Sequence, residues 1–135
     1  MSLLTTKGTY ALSALLEIHS RDSSQPVQIR EISVEANIPQ SYLEQLFNKL
    51  KKAGILKSVR GIKGGYLLAK DAKDIYVKDV VGILEKDIKV ADCEDPILCL
   101  YFSEVQEKLE KLLDINLVEL DKYKEQYSKN LNYVI

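Results

Sequence analysis

Four residues, Ala36-Asn37-Ile38-Pro39, constrain this chain more than any other feature, because they interrupt helical periodicity with a sharp turn. Before them Ile29 and Ile32 suit a short helix, and after them Leu43, Leu46, Phe47 and Leu50 suit a longer one. Asparagine tolerates the left-handed conformation better than most residues, so Asn37 can make the tight turn where a helix-turn-helix often carries glycine. Pro39 fits the first turn of the following helix, where its missing N–H costs nothing. Gly54 ends that helix. Any helical hairpin satisfies these residues, and so does a nucleic-acid-reading helix-turn-helix.

The next stretch, ILKSVRGIKGGYLLAK, narrows the choice. Strand-like residues around Val59 and from Tyr66 to Leu68 are interrupted by Gly61, Gly64 and Gly65, which reads as a hairpin with an extended loop. A ribbon directly after the second helix is the wing of a winged helix, and it carries Arg60 and Lys63 at its tip. A phosphate-cradling loop needs G-x-x-x-x-G-K-[ST] or G-x-G-x-x-G, and neither is present. The formal net charge of -1 argues against nucleic acid when taken alone. Its distribution argues the other way. From Gln45 to Lys70 the chain holds Lys49, Lys51, Lys52, Lys57, Arg60, Lys63 and Lys70 and no acidic residue, whereas from Glu85 to Glu125 the balance reverses. A basic segment followed by an acidic one suggests a DNA-facing module joined to a part that faces away; an ordinary solvated helix face is the plainer alternative.

The flanking segments complete a mainly α chain with a small β-hairpin wing. Thr5 or Thr6 can cap a first helix on which Ala11, Leu12, Leu15, Leu16 and Ile18 recur at helical spacing. The lone His19 near its end reads as packed or solvated, since no second histidine exists to complete a metal set. After the wing, Val77, Val80, Val81 and Leu84 mark a short helix ending near Asp87, and the loop VADCEDPILC follows. Beyond it Leu98, Phe102, Val105, Leu109 and Leu112 step by 4, 3, 4 and 3, the seam spacing of a helix packed lengthwise on another. In a chain of 135 residues that partner is expected to be a second subunit, with Phe102, Val105, Leu109 and Leu112 at the interface. Asn116 with Glu119 predicts a capping box for a last helix whose face is Leu117, Leu120, Tyr123 and Tyr127.

This length predicts one domain with a helical appendage, divided as residues 1–87, a cysteine-bearing loop 88–99 and dimerisation helices 100–135. No stretch suits a membrane span and no basic segment precedes an apolar run, so a soluble, cytoplasmic protein is expected. Catalysis is not expected: a single histidine provides no triad, no carboxylate pair stands out from helix surface, and no cofactor motif is present. Cys93 and Cys99 are too few for a disulfide framework. In a reducing cytosol such a pair binds metal, senses redox state or lies buried.

Together LTTKGTYAL, SYLEQLFNKLKKAGIL, SVRGIKGGYLLAKDAKDI and the later ILC resemble the bacterial regulator family that includes the iron-sulfur cluster regulator IscR, the nitric-oxide sensor NsrR and the cysteine-metabolism repressor CymR. The most specific parts are Ser41-Tyr42-Leu43-Glu44-Gln45-Leu46 and Arg60-Gly61-x-x-Gly64-Gly65-Tyr66. The resemblance implies an elongated dimer in which a long helix crosses its counterpart, bound to a palindromic operator near sulfur-metabolism, cluster-assembly or stress genes. Several members carry three cysteines before the long helix and use them, with a fourth ligand elsewhere, to bind an iron-sulfur cluster. Here Cys93 and Cys99 match the first and third, the loop is shorter, and the middle cysteine has no counterpart. Where IscR-like proteins place a histidine three residues after the last cysteine, this chain has Phe102. Two thiolates fall short of the four ligands a cluster ordinarily takes, so a cluster would need Asp92, Glu94 or Asp95, or sharing across the dimer. Cluster, thiol switch or other metal, and inert cysteines all stay open.

On the DNA-binding reading, the helix from Gln40 to Ala53 enters the major groove, with Tyr42, Glu44 and Gln45 at base edges. Glu44 can accept from cytosine N4 and repels phosphate, which gives it a selective role. Ser41 contacts a phosphate or caps the helix. Arg60 suits a narrow minor groove, while Lys49, Lys57 and Lys63 suit backbone phosphates. A protein-interaction adaptor that has kept a winged helix and lost DNA binding is the alternative; the intact RGxxGGY segment and the acid-free basic window weigh against it.

Overall fold

The computed structural model of the chain describes residues 2–134. Helix α1 (Thr6–His19) starts at Thr5, whose hydroxyl accepts the backbone N–H of Lys7 and so satisfies one of the donors left open at a helix start. Helix α2 (Ile29–Ala36) ends at Asn37 with φ 55 and ψ 50, the left-handed cap that the turn requires. Helix α3 (Gln40–Lys52) follows at once. Pro39 stands one place earlier than expected, as the residue before the helix with φ -55 and ψ 133. That placement leaves its carbonyl free to accept the N–H groups of Tyr42 and Leu43. No side chain caps α3, so Ser41 is not the cap. The Ser33 hydroxyl donates to the Ile38 carbonyl at 2.5 Å and braces the turn from below.

Past Ala53, Gly54 takes φ 80 and turns the chain into strand β1 (Leu56–Val59). It pairs antiparallel with β2 (Gly65–Leu68), Leu56 opposite Leu68 and Val59 opposite Gly65. Val27 adds an isolated bridge to Tyr66, exchanging hydrogen bonds of 2.9 and 2.8 Å, which the sequence reading did not foresee. This close pairing explains the double glycine. A Cβ on Gly65, which has φ 153, would run into the Val27 carbonyl, and one on Gly64 would run into the Val59 carbonyl.

A short 3-10 turn (Ala72–Asp74) leads to helix α4 (Val77–Leu84). The long helix α5 (Pro96–Leu112) is capped by the Asp95 carboxylate, which accepts from Ile97 N and Leu98 N. Asn116 and Glu119 form the predicted capping box of α6 (Leu117–Asp121), and α7 (Tyr123–Val134) ends the described chain. The single last helix expected from periodicity is therefore two, broken at Lys122. Leu117 is buried and Leu120 half-buried, but Tyr123 and Tyr127 lie exposed on α7 and do not prolong their face.

The core joins α1, α2, α3, α4 and the base of the hairpin around Leu15, Ile32, Leu43, Phe47, Leu50 and Val80. Phe47 meets the Tyr66 ring edge-on at 4.8 Å, which locks the wing to α3. At the far end of α1, His19 Nε2 lies 3.8 Å from the Asp121 carboxylate of α6. Helix α5 buries no residue. The segment just after it is tied in through hydrogen bonds from Lys78 N to Leu113 O, from Val77 N to Ile115 O and from Leu117 N to Ile75 O. Among the described residues no helix is long and apolar enough to cross a membrane.

Candidate nucleic-acid interface and cysteine loop

Helix α3 divides its side chains cleanly. Leu43, Leu46, Phe47 and Leu50 are buried, which leaves Ser41, Glu44, Gln45, Asn48, Lys49 and Lys52 on the outer face. Glu44 accepts a hydrogen bond of 3.3 Å from Gln40 Nε2, so its carboxylate is steadied one turn above the helix start. Tyr42 differs from its neighbours. It is half-buried, its ring meets Tyr10 edge-on at 5.7 Å, and its hydroxyl lies 3.4 Å from Thr6 Oγ1. Its packing holds α3 against α1 as well as placing a hydroxyl beside the helix start.

Lys51 Nζ donates to Ser58 Oγ at 3.3 Å and ties α3 to the wing. On that wing Lys57, Arg60 and Lys63 are exposed. Among the described residues none of Lys49, Lys57, Arg60 and Lys63 pairs with a carboxylate, so four cations remain available on one module. Unpaired cations beside an exposed helix face suit polyanion binding, with polar side chains left to read base edges.

The module rests on a contact that the sequence reading missed. Glu85, just past α4, uses Oε1 to accept from Thr5 N at 2.8 Å, Thr5 Oγ1 at 2.6 Å and Gly8 N at 3.2 Å. The hydrogen bond from the Thr5 hydroxyl is the main reason its pKa falls below the ordinary value of 4.5, with the backbone donors adding to it and burial opposing. A carboxylate at a helix start also complements the helix dipole. Glu85 thus fixes the end of α1 that carries Thr6 and Tyr10, the supports of Tyr42.

Cys93 and Cys99 are bonded to each other, with their Cα atoms 5.5 Å apart. Cys93 is exposed and Cys99 half-buried in the first turns of α5, so the bond staples the loop to the start of the long helix. An iron-sulfur cluster does not fit the donors of one chain. Both sulfurs are spent on each other, Asp95 is engaged as a helix cap, and no group of three or more His, Cys, Asp or Glu among the described residues is arranged to hold a metal ion. Further along, Gln106 clasps the same loop: its Nε2 donates to Ile88 O at 2.8 Å and its Oε1 accepts from Val90 N at 2.9 Å. A cleft of about 700 Å³ opens beside this clasp, lined by Lys78, Gly82, Ile88, Leu109 and Leu113 among others.

The expected interface residues of α5 fall in two groups. Phe102, Val105 and Leu109 are half-buried, Leu109 facing the cleft beside Ile88, while Leu112 is 74% exposed. Ile97, Leu98 and Tyr101 are exposed too. The apolar side chains of α5 most free of their own chain are therefore Ile97, Leu98, Leu100, Tyr101 and Leu112, whereas Val105 is half-buried. The Tyr101 ring meets that of Phe102 at 5.0 Å, and its position falls outside the 4, 3, 4, 3 spacing of the expected seam.

Residues 4–127 match the family model described as an iron-dependent transcriptional regulator. The chain belongs to the Rrf2 family. Within it, the HTH-type transcriptional regulator IscR of Photobacterium profundum is 42% identical over 103 residues, covering 72% of this chain and 60% of that protein. The chain thus spans well under two thirds of the length of this curated relative. Among solved structures, CymR of B. subtilis, named as its global cysteine regulator, superposes with a TM-score of 0.84 at 29% identity over 91% of this chain and 98% of that one. IscR of T. potens gives 0.76 at 33% identity over 91% and 87%. This Rrf2 chain shares with them the winged-helix fold and long helix, and the relatives are named as transcriptional regulators, a non-enzymatic role.

Proposed function

We propose that this Rrf2 chain is a cytoplasmic transcription regulator that binds a palindromic DNA operator as a homodimer and changes its affinity with the redox state of Cys93 and Cys99. The observation that carries the reading is the unpaired cationic surface of α3 and the wing, set beside an outer helix face of Ser41, Glu44 and Gln45. In this account Glu44 and Gln45 contact base edges, with the Tyr42 hydroxyl beside them. Ser41, Lys49, Lys57 and Lys63 contact phosphates and set the register, and Arg60 enters the minor groove. Residues 1–87 read DNA, and residues 100–135 dimerise along α5, on which Tyr101 and Leu112 are exposed. Loop 88–99 lies between the two. A thiol reductant breaks the disulfide by exchange, giving two thiols and the reductant's own disulfide, and a disulfide or peroxide oxidant takes up the two electrons when it forms again. Either change shifts one reading head relative to the other, and half-site spacing on DNA converts that shift into affinity.

The test begins with a duplex selected from a random library by repeated binding. Wild-type protein is expected to bind it with affinity falling steeply as salt rises. Arg60→Ala is expected to lose about 1 to 3 kcal/mol of specific binding while its fold stays intact. Affinity unchanged by both salt and Arg60→Ala would contradict the reading.

A further inference from the structure

The wing tip carries one residue that neither folding nor charge accounts for. Gly64 N donates to Gly61 O at 3.0 Å, which closes a four-residue turn with Ile62 and Lys63 at its two corners. Turn corners favour Gly, Pro, Asn, Asp and Ser, each for a backbone reason, and a β-branched apolar side chain offers none of those advantages. Ile62 is nonetheless 98% exposed, the most exposed of the large apolar residues described, and it is flanked by the unpaired cations Arg60 and Lys63. Among the described residues, its side chain is left almost wholly open to solvent.

We infer that Ile62 is a minor-groove specificity residue that selects A·T over G·C pairs beneath the wing. The inference rests on the DNA-binding reading above and adds a base-selective contact to it. The minor groove is about 6 Å wide, and its floor at A·T pairs presents only the adenine N3 and thymine O2 acceptors, whereas G·C pairs project the guanine N2 amino group from it. With Arg60 entering the same groove and Lys63 on its phosphates, the branched side chain that lies between them in sequence would meet that floor. At A·T it packs against base edge and sugar. At G·C it meets the amino group, which it crowds and strips of water without offering an acceptor. Apolar side chains placed in the minor groove are a recurrent device of DNA-binding proteins. Here the contact comes from the outermost position of the module, where a glycine-closed turn keeps the backbone narrow.

The experiment uses the full chain and the selected operator. Hydroxyl-radical footprinting locates the minor-groove segment protected by the wing, and the A·T pairs there are replaced first by G·C and then by inosine·C. Inosine·C matches G·C in the major groove but lacks the N2 amino group, so the two duplexes isolate that one group. Wild type is expected to bind the G·C duplex about tenfold more weakly than the original, a typical cost for one mismatched pair, and to recover most of the loss with inosine·C. Ile62→Ser, a fully exposed change that leaves the fold alone, is expected to bind the original operator more weakly than wild type, because the A·T packing is lost, and to discriminate less than about threefold among the three duplexes. A full G·C penalty retained by Ile62→Ser, or a wild type that treats inosine·C like G·C, would overturn the inference while leaving DNA binding standing. Failure of wild type to bind any of the three would overturn both.

Discussion

Glu85 shows how much one side chain decides in this molecule. Its single oxygen collects three donors from the start of α1, and that start supports Tyr42 on α3. Because its folded pKa lies below the ordinary 4.5, Glu85 contributes stability that is fully present above that value and is lost as pH falls through the lowered one. Glu85→Gln is expected to cost about 1 kcal/mol near neutral pH, comparable to losing a helix cap, and the gap from wild type should close in acid. Chemical denaturation at several pH values measures it; a gap that stays constant below pH 4.5 would show that the charge has no part in the contact. Residues of this kind were illegible in the sequence. Glu85 and Thr5 are 80 positions apart, and nothing in either local pattern announces the pairing. The cationic residues were legible, because their clustering survives without knowledge of the fold.

Among the elements, the wing was read from its glycines, and the structure supplies the reason each is needed. Gly65 combines φ 153 with a Cβ position blocked by the Val27 carbonyl, so Gly65→Ala has no relaxed conformation to adopt. The variant is expected to lose about 1 to 3 kcal/mol of stability and to weaken operator binding, since the hairpin must leave either Val27 or its own register. Thermal melts together with anisotropy titrations check this, and a variant with native melting would mean that the Val27–Tyr66 bridge is dispensable. Helix α3 and its turn were legible because Asn37 and Pro39 act through their own backbone preferences. The last helix was misread: periodicity from Leu117 to Tyr127 continues across Lys122, but the chain turns there and exposes both tyrosines. On α5 the expected interface residues differ in exposure: Leu112 is exposed, whereas Leu109 lines the cleft.

At the scale of the molecule, the account joins a reading module to a long helix that fully buries none of its residues within its own described chain. The loop between them is closed by the Cys93–Cys99 bond and by the Gln106 clasp, the contacts through which the proposed redox switch would act. A Cys93→Ser, Cys99→Ser double variant is expected to fold and bind operator but to lose the difference in affinity, about 1 to 3 kcal/mol, between reduced and oxidised protein. Equal responses of variant and wild type would remove the cysteines from the switch. The exposed Leu98, Tyr101 and Leu112, with half-buried Val105 beside them, make the dimer the premise on which operator recognition depends in this account. Sedimentation of wild type and of a Val105→Asp, Leu112→Asp variant, each alone and with the selected palindromic duplex, tests that premise most directly. The account predicts wild-type dimers that load two chains per duplex, and a folded variant that sediments as a monomer and loses the palindrome. Monomeric wild type that binds one chain per duplex, or a variant that dimerises and binds as before, would contradict it.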